Sequence, residues 1–180
     1  MIIFDTETTG LIGNPEALLN EQPEIIEFAG IKLDDATLEE VGRFECLIKP
    51  RILPLPAKIV EITGITTDML TGELSFARRV KQLADFFRGE ATCVAHNCGF
   101  DIGMLVLEMR RLDYVTKFPW PSYHVDSVEA AREYTAKNRK LDTLHQTATE
   151  GKKVVKAHRA MPDVEALVTV VRWLRSEGRI

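Results

Sequence analysis

The order of apolar patterns along this chain limits its fold more than any other feature of the sequence. Three strand patterns come first, at residues 2–4, 25–33 and 43–48, and they suggest a meander. Helix and strand patterns alternate after them. This order predicts an α/β fold with a mixed central sheet of about five strands, flanked by helices.

The second half of the sequence supplies the remaining strands and most of the helices. A buried strand is predicted at residues 92–95 and a further strand at residues 123–125. Two short helical turns are expected after a proline-rich segment, at residues 57–61 and 67–70. Apolar residues at helical spacing predict longer helices over residues 76–87, after Asp101, and over residues 127–135, 141–150 and 162–176.

Length and composition set outer limits on the class of protein. With 180 residues, of which 45% are hydrophobic, the chain is expected to form a single domain over residues 1–180. No apolar run approaches the roughly 20 residues that span a bilayer, so we expect a cytoplasmic protein without a membrane partner. The three cysteines have no metal-ligand spacing and are expected to be reduced core residues.

The charge of the chain does not exclude a nucleic-acid partner. The formal net charge is −4, whereas phosphate binding usually requires a basic surface. A site made of carboxylates adds negative charge that bound cations would cancel locally, and basic clusters occur at residues 78–81, 137–140 and 152–156. Each cluster taken alone is more often a solvated surface.

The first candidate site is the segment Asp5-Thr6-Glu7, which follows the first strand pattern. Residues two apart on a strand share a face, so both carboxylates would lie together beside the core. Their mutual repulsion calls for a neutralising partner, and divalent cations with oxygen ligands fit that role. The alternative is a solvated turn at a strand end, in which Thr6 and Thr8 act only as turn hydroxyls.

A second candidate lies at residues 96–101, between a predicted strand and a predicted helix. Asp101 falls in or near the first turn of that helix, where the helix dipole favours negative charge. In the alternative interpretation Asp101 is a capping residue, His96 and Asn97 are satisfied turn residues, and Phe100 belongs to the core.

The third candidate pairs His158 with Asp163 at the start of the last predicted helix. Pro162 helps to fix where that helix begins, and His158 lies on the segment before it. A histidine with a pKa near neutrality is suited to accept a proton from an attacking water. A lone surface histidine without a function is the alternative.

Together these three groups resemble the motifs of the DEDDh exonuclease superfamily. Residues 4–10, Phe-Asp-Thr-Glu-Thr-Thr-Gly, look like the first motif of that family, and residues 96–101, His-Asn-Cys-Gly-Phe-Asp, are similar to the second. His158 with Asp163 is similar to the third, and a histidine there, where the sister branch has tyrosine, identifies the DEDDh branch. The resemblance extends from residue 2 to about residue 174.

The resemblance implies an RNase H-like fold and a 3′→5′ exonuclease that releases nucleoside 5′-monophosphates from single-stranded DNA or frayed 3′ ends. It implies two divalent cations, Mg²⁺ or Mn²⁺, with His158 as the general base. The implied metal ligands are Asp5, Glu7, Asp101 and Asp163. Residues expected to contact the substrate are Thr6, Thr8, Thr9, Gly10, Ile62, Ile65, His96, Asn97 and Phe100.

Several alternatives stay open at the level of sequence. An enzyme that trims RNA would use the same chemistry, and the contacts that select between the two sugars are not readable from these residues. A proofreading module docked on a polymerase is less favoured, because the chain ends at Ile180, soon after its last predicted helix. A homodimer is an open alternative. A non-catalytic relative would be expected to lack a carboxylate or the histidine.

Overall fold

A five-stranded mixed sheet forms the centre of the molecule, as predicted. The structure, a computed structural model, describes residues 1–14, 16–134, 140–154 and 158–180. The strand order is β3-β2-β1-β4-β5, in which β1, β2 and β3 pair antiparallel, while β4 pairs in parallel with both β1 and β5. The strands are β1 (Ile2–Thr8), β2 (Ile25–Leu33), β3 (Glu40–Leu47), β4 (Thr92–Ala95) and β5 (Tyr123–Asp126).

Helices cover both faces of this sheet. They are α1 (Ala57–Thr63), α2 (Thr67–Thr71), α3 (Phe76–Phe87), α4 (Cys98–Arg111), α5 (Ser127–Ala130), α6 (Leu141–Ala148) and α7 (Ala160–Ser176). Alternate residues of β1 supply both cores, since Ile2 and Phe4 pack with α3 and α4, whereas Ile3 packs with α6 and α7. No helix among the described residues is long and apolar enough to cross a membrane.

The predicted end of β1 was wrong, and the difference affects the site. The strand was expected over residues 2–4 but continues to Thr8, because Asp5, Thr6 and Glu7 still pair with residues of β2. The carboxylates of Asp5 and Glu7 therefore project from a strand in the middle of the sheet rather than from a turn.

Other element boundaries also differ from the predictions. β3 begins at Glu40 instead of residue 43, because the ladder with β2 continues past the apolar stretch. α4 begins at Cys98, before Asp101, and α7 begins at Ala160, before Pro162. α5 ends at Ala130 rather than at residue 135, and residues 135–139 and 155–157 lie outside the described residues.

Candidate active site

Strand β1 and helix α7 bring three carboxylates together. Asp5 and Glu7 lie on the face of β1 that α7 covers, and Asp163 lies in the first turn of α7. Oxygen atoms of the three side chains all lie within 4.8 Å of one another, and each residue is partly buried. A cluster of oxygen ligands around one point is the arrangement that hard divalent cations such as Mg²⁺ prefer.

An ion pair between the buried Glu27 and the partly exposed Arg159 holds the start of α7 beside this cluster. Arg159 Nη2 donates to Glu27 Oε1 at 2.6 Å, and the Ala160 N–H donates to Glu27 Oε2 at 2.9 Å. Glu27 is only 3% exposed and lies directly across the β1–β2 ladder from Glu7. Strand β2 therefore fixes where the last helix starts, and with it the position of Asp163.

Sequence reasoning missed the Glu27–Arg159 pair, although a signal was present. Glu27 is the one carboxylate in the otherwise apolar first six residues of β2, Ile-Ile-Glu-Phe-Ala-Gly. A charge in a buried strand requires a charged or hydrogen-bonding partner. The partner is distant in sequence, so the pattern indicates that one exists but does not identify it.

Asp101 lies behind the cluster, in the first turn of α4, and is 2% exposed. Its Oδ1 accepts two hydrogen bonds from Thr6, one from the N–H at 3.0 Å and one from the hydroxyl at 2.6 Å. Asp101 is not one of the three carboxylates within 4.8 Å. Through Thr6 it is nevertheless attached to the strand that carries Asp5 and Glu7.

Burial and mutual repulsion raise the pKa values of the carboxylates on β1. The pKa of Asp5 lies well above its usual range because the group is desolvated and because Asp101 and Glu7 repel its negative charge. Burial, followed by repulsion from Asp163 and Glu27, raises the pKa of Glu7 to about 8. Glu7 therefore favours the protonated form near neutral pH, and a bound cation would favour the ionised form of both groups.

The carboxylates of the two helices follow the same trend. Burial raises the pKa of Asp101 to about 7, although the hydrogen bonds from Thr6 act in the opposite direction. Burial also raises the pKa of Asp163, while the His158 N–H acts to lower it. Four acidic groups with raised pKa values in one place are typical of a site that binds metal ions.

His158 lies at the open side of the cluster and is exposed. Its N–H donates to Asp163 Oδ2 at 2.9 Å, so the backbone, rather than the imidazole, makes this contact. The φ angle of His158 is 68°, a left-handed conformation that is uncommon for residues other than glycine. The contact with Asp163 keeps the histidine next to the carboxylates.

A groove of about 400 Å³ opens over the site. Asp5, Asp163 and His158 line it together with His96 and with residues from the beginning of α6 and the segment after it. Those further residues are Lys140, Leu141, Asp142 and Val154.

Contacts with β5 and the start of α5 fix the loop at the end of β4. His96 Nδ1 lies 2.8 Å from Ser127 Oγ, and the exposed Asn97 has a φ of 66° and donates its N–H to Asp126 Oδ1 at 3.1 Å. Asp126 also caps α5 through the Val128 N–H at 2.9 Å. The role of Asp126 was not predicted, although an aspartate directly after a strand pattern is a recognisable signal.

Three of the predicted substrate residues have buried side chains with other contacts. Thr6 bonds to Asp101, as described above. Thr8 donates its hydroxyl to the carbonyl of Gly10 at 2.7 Å. Ile65 is completely buried in a small core with Leu70 and therefore cannot stack on a base. The structure thus places Ile65 in the interior, contrary to the expected contact.

The remaining predicted substrate residues differ in accessibility. Thr9 is partly exposed, but its hydroxyl accepts the Glu24 N–H at 2.9 Å. Phe100 is partly buried against the core, which agrees with the alternative interpretation given above. Ile62 is 42% exposed, and Gly10 is partly exposed, so both can be reached from solvent.

Comparisons with known proteins show which family and which relatives this chain resembles. The family model RNase_T, described as exonuclease, matches residues 2–171. The DNA polymerase III PolC-type protein of Halalkalibacterium halodurans is 36% identical over 168 residues, and that of Bacillus subtilis is 33% identical over 169 residues. These alignments cover 92% of this chain but only 10% and 11% of the two relatives. The chain therefore spans about a tenth of the length of the curated relatives it matches.

Solved structures of nucleases share the fold. Exonuclease X in complex with 5′ overhanging duplex DNA is 20% identical, with a TM-score of 0.69 over 98% of this chain and 92% of that one. The nuclease domain of 3′hExo, a DEDDh family member bound to rAMP, is also 20% identical. Its TM-score is 0.76, and the match covers 98% of this chain and 92% of that domain.

Proposed function

The chain belongs to the DEDDh exonuclease superfamily, and on that premise we propose that it removes nucleotides from the 3′ end of single-stranded or frayed DNA as 5′-monophosphates. The observation that supports this most is the approach of Asp5, Glu7 and Asp163 to within 4.8 Å, with Asp101 attached to the same strand through Thr6. We also propose that residues 1–180 form one exonuclease domain.

The family depends on divalent metal ions, and the donors of this site fit them. Asp5, Glu7 and Asp163 offer only carboxylate oxygens. Burial, together with repulsion from neighbouring carboxylates, raises their pKa values, so a bound cation would stabilise their ionised forms. We propose that these three residues, with Asp101, hold two ions, either Mg²⁺ or Mn²⁺. Two bound ions would supply a hydroxide nucleophile and neutralise the charge that develops on the phosphate.

The remaining chemistry falls to residues of the chain itself. His158 lies beside the carboxylates and is exposed to water, so in its neutral form it can accept the proton of the attacking water. Its N–H bond to Asp163 holds the backbone in place while the imidazole remains able to turn toward the groove. Thr6 directs Asp101 toward the site through two hydrogen bonds.

The test is nucleotide release from a single strand labelled at its 3′ end, with magnesium, manganese or a chelator. Asp5→Asn keeps the shape of the side chain but removes its charge, so turnover should fall by at least about 10³-fold. The matched control is Asp85→Asn on α3, which removes a 50% exposed carboxylate far along the chain and should retain wild-type turnover. Wild-type turnover of Asp5→Asn would contradict the proposal.

RNA is the second candidate substrate. The structure of 3′hExo with bound rAMP supports it, since a ribonucleotide occupies a domain of the same fold. Matched DNA and RNA strands of identical sequence decide between the two, because only the 2′-hydroxyl differs. If kcat/KM were higher on RNA than on DNA, RNA would become the proposed substrate.

Association with a polymerase is a further proposal, supported by the identity to PolC-type polymerases. A proofreading enzyme should remove a mismatched, unpaired 3′ nucleotide from a primer faster than a matched one. Equal rates on the two primers would count against this role and leave the exonuclease activity itself unaffected.

A further inference from the structure

Lys140 is a basic residue to which the proposed chemistry assigns no role. It directly precedes α6 and lines the same groove as Asp5, His158 and Asp163. Among the described residues that line this groove, Lys140 is the only lysine or arginine. It also belongs to the basic cluster at residues 137–140, of which the structure describes Lys140 alone.

The position of Lys140 is set by the helix that follows it. Leu144 of α6 is completely buried in the core that α7 forms against the sheet. Asp142 Oδ1 accepts the Val154 N–H at 3.0 Å, which ties the beginning of α6 to the chain that leads toward His158. The start of α6 is therefore a fixed wall of the groove, and the backbone of Lys140 is fixed with it.

The charges in the groove explain why a positively charged side chain is needed there in addition to metal ions. The four ionised carboxylates of the proposed metal site carry a charge of about −4 that two divalent ions would cancel, and Asp142 adds a further negative charge to the lining of the groove. Each phosphodiester of a substrate strand adds one negative charge and is attracted mainly by lysine and arginine. A lysine ammonium group provides a compact positive charge with three donors for phosphate oxygens.

We propose that Lys140 binds the phosphate backbone of the substrate strand in this groove, an inference that rests on the proposed exonuclease function. The contact forms when the strand binds and persists through the reaction. It stabilises the bound substrate and the transition state equally, so its loss raises KM and leaves kcat nearly unchanged. Lys140 is thus a substrate-binding residue for phosphate, separate from the carboxylates.

The experiment compares Lys140→Gln and Lys140→Arg with the wild-type chain in nucleotide release from a single DNA strand. We expect KM to rise about fivefold for Lys140→Gln, with kcat within about twofold, whereas Lys140→Arg should restore KM because it keeps the charge. The matched control is Lys81→Gln on α3, whose side chain is 83% exposed and pairs with Asp85. That variant should behave as wild type.

Equilibrium binding provides a readout that does not depend on turnover. Fluorescence anisotropy of a labelled single strand in calcium, at several salt concentrations, should show weaker binding for Lys140→Gln. The slope of log K against log salt should become shallower by about 0.7, the contribution of one phosphate contact on a single strand. Unchanged thermal melting would show that the folded state is intact.

The outcomes separate this inference from the proposed function. If Lys140→Gln kept the wild-type KM, affinity and salt slope, the role of Lys140 would be overturned. Nucleotide release by the chain would still support the exonuclease function. A wild-type chain that binds the strand without releasing nucleotides would overturn the exonuclease, and the binding arm would still decide on Lys140. If the wild-type chain bound no strand, both would fall.

Discussion

Thr6 affects the site without reaching the groove. Its hydroxyl and its N–H both donate to Asp101 Oδ1, at 2.6 Å and 3.0 Å, and these bonds act to lower the pKa of that carboxyl. Asp101 is deeply buried, so it has few other ways to stabilise its ionised form. A threonine hydroxyl at this position therefore favours the ionised form of Asp101, which we propose as a metal ligand.

Replacing Thr6 by valine tests this role. Thr6→Val keeps the shape of the side chain but removes the hydroxyl, so the pKa of Asp101 should rise further and metal binding should weaken. We expect a higher metal concentration for half-maximal nucleotide release and a loss of about 1–2 kcal/mol in unfolding free energy. Thr6→Ser, which keeps the hydroxyl, is the control. A metal requirement identical to wild type in Thr6→Val would show that the bond has no effect on the site.

His158 is the second residue whose role one substitution can isolate. His158→Gln keeps a polar side chain and the backbone N–H that bonds to Asp163, but it removes the basic nitrogen. We expect kcat to fall by about 10²–10⁴-fold. Binding of the strand, measured by anisotropy in calcium, should change little. A variant with wild-type kcat would exclude His158 as the base.

The sequence predicted the positions and contacts of some residues of the site but not of others. The spacing of Asp5 and Glu7 was sufficient to place both on one face, because strand geometry is local. The bond between Thr6 and Asp101 joins residues 95 positions apart, so no local pattern predicts it. Ile65 was expected at the substrate, yet apolar residues in a loop-rich segment look the same whether they face a ligand or a small core.

At the level of elements, the start of α7 depends on strand β2. Glu27 on β2 accepts hydrogen bonds from Arg159 and from the Ala160 N–H, which are the residues that begin the helix. The helix has no side-chain cap of its own at Arg159. Glu27 therefore accepts an N–H at the start of the helix in place of a local N-cap side chain. The ion pair with Arg159 sets the position of Asp163 one turn later.

Removing one partner of this pair should be costly. Arg159→Met leaves the carboxylate of Glu27, whose side chain is 4% exposed, without its counter-charge. We expect a loss of roughly 2–4 kcal/mol, somewhat below the value for fully buried pairs because the Arg159 side chain is 36% exposed.

A double-variant cycle provides the control for the ion pair. In the Glu27→Gln, Arg159→Met variant no unpaired charge remains, so denaturant unfolding should show a smaller loss than the sum of the two single variants. Nucleotide release should fall in Arg159→Met even where the protein is folded, because Asp163 is no longer held. Additive losses would mean that the pair does not couple β2 to α7.

Elements were predicted in type and order, and the bounds of β2, α3 and β4 agree with the predictions, whereas those of β1 and β3 do not. The strand β1 was cut short because Asp5 and Glu7 are poor strand formers by local preference. Pairing with β2 overrides that preference, and the partner strand cannot be identified from the residues of β1. The same reason applies to β3, whose first two residues, Glu40 and Val41, are exposed to solvent but belong to the strand that pairs with β2.

For the molecule as a whole, the sequence predicted five strands and the meander of β1, β2 and β3, but it did not predict that β4 pairs with β1. The order β3-β2-β1-β4-β5 places β1 at the centre, between β2 and β4, with β5 at the edge beyond β4. This arrangement gathers residues from β1, α4 and α7 into one site. The resulting cluster of carboxylates makes the stability of the entire fold depend on pH.

The unfolding free energy of the metal-free chain should fall as the pH rises. Burial and repulsion raise the pKa of Glu7 from 4.5 to about 8 in the folded chain, and the pKa of Asp5 is also raised. Between these two pH values the folded chain binds more protons than the unfolded chain, so stability decreases with rising pH across this window. Metal ions bind the folded chain alone and replace the protons, so their stabilising effect should grow with pH.

Thermal melting at pH 5 and pH 8, with chelator and with magnesium or manganese, tests this coupling. In chelator the wild-type melting temperature should be lower at pH 8 than at pH 5, and metal should restore most of the difference. Glu7→Gln cannot ionise, so its melting temperature should depend less on pH and on metal. The control is Glu61→Gln, whose side chain is 70% exposed and which should follow the wild type. If Glu7→Gln and the wild type lost the same stability between the two pH values, Glu7 would not be a source of the pH dependence, and its place in a metal-binding cluster would lose its thermodynamic support.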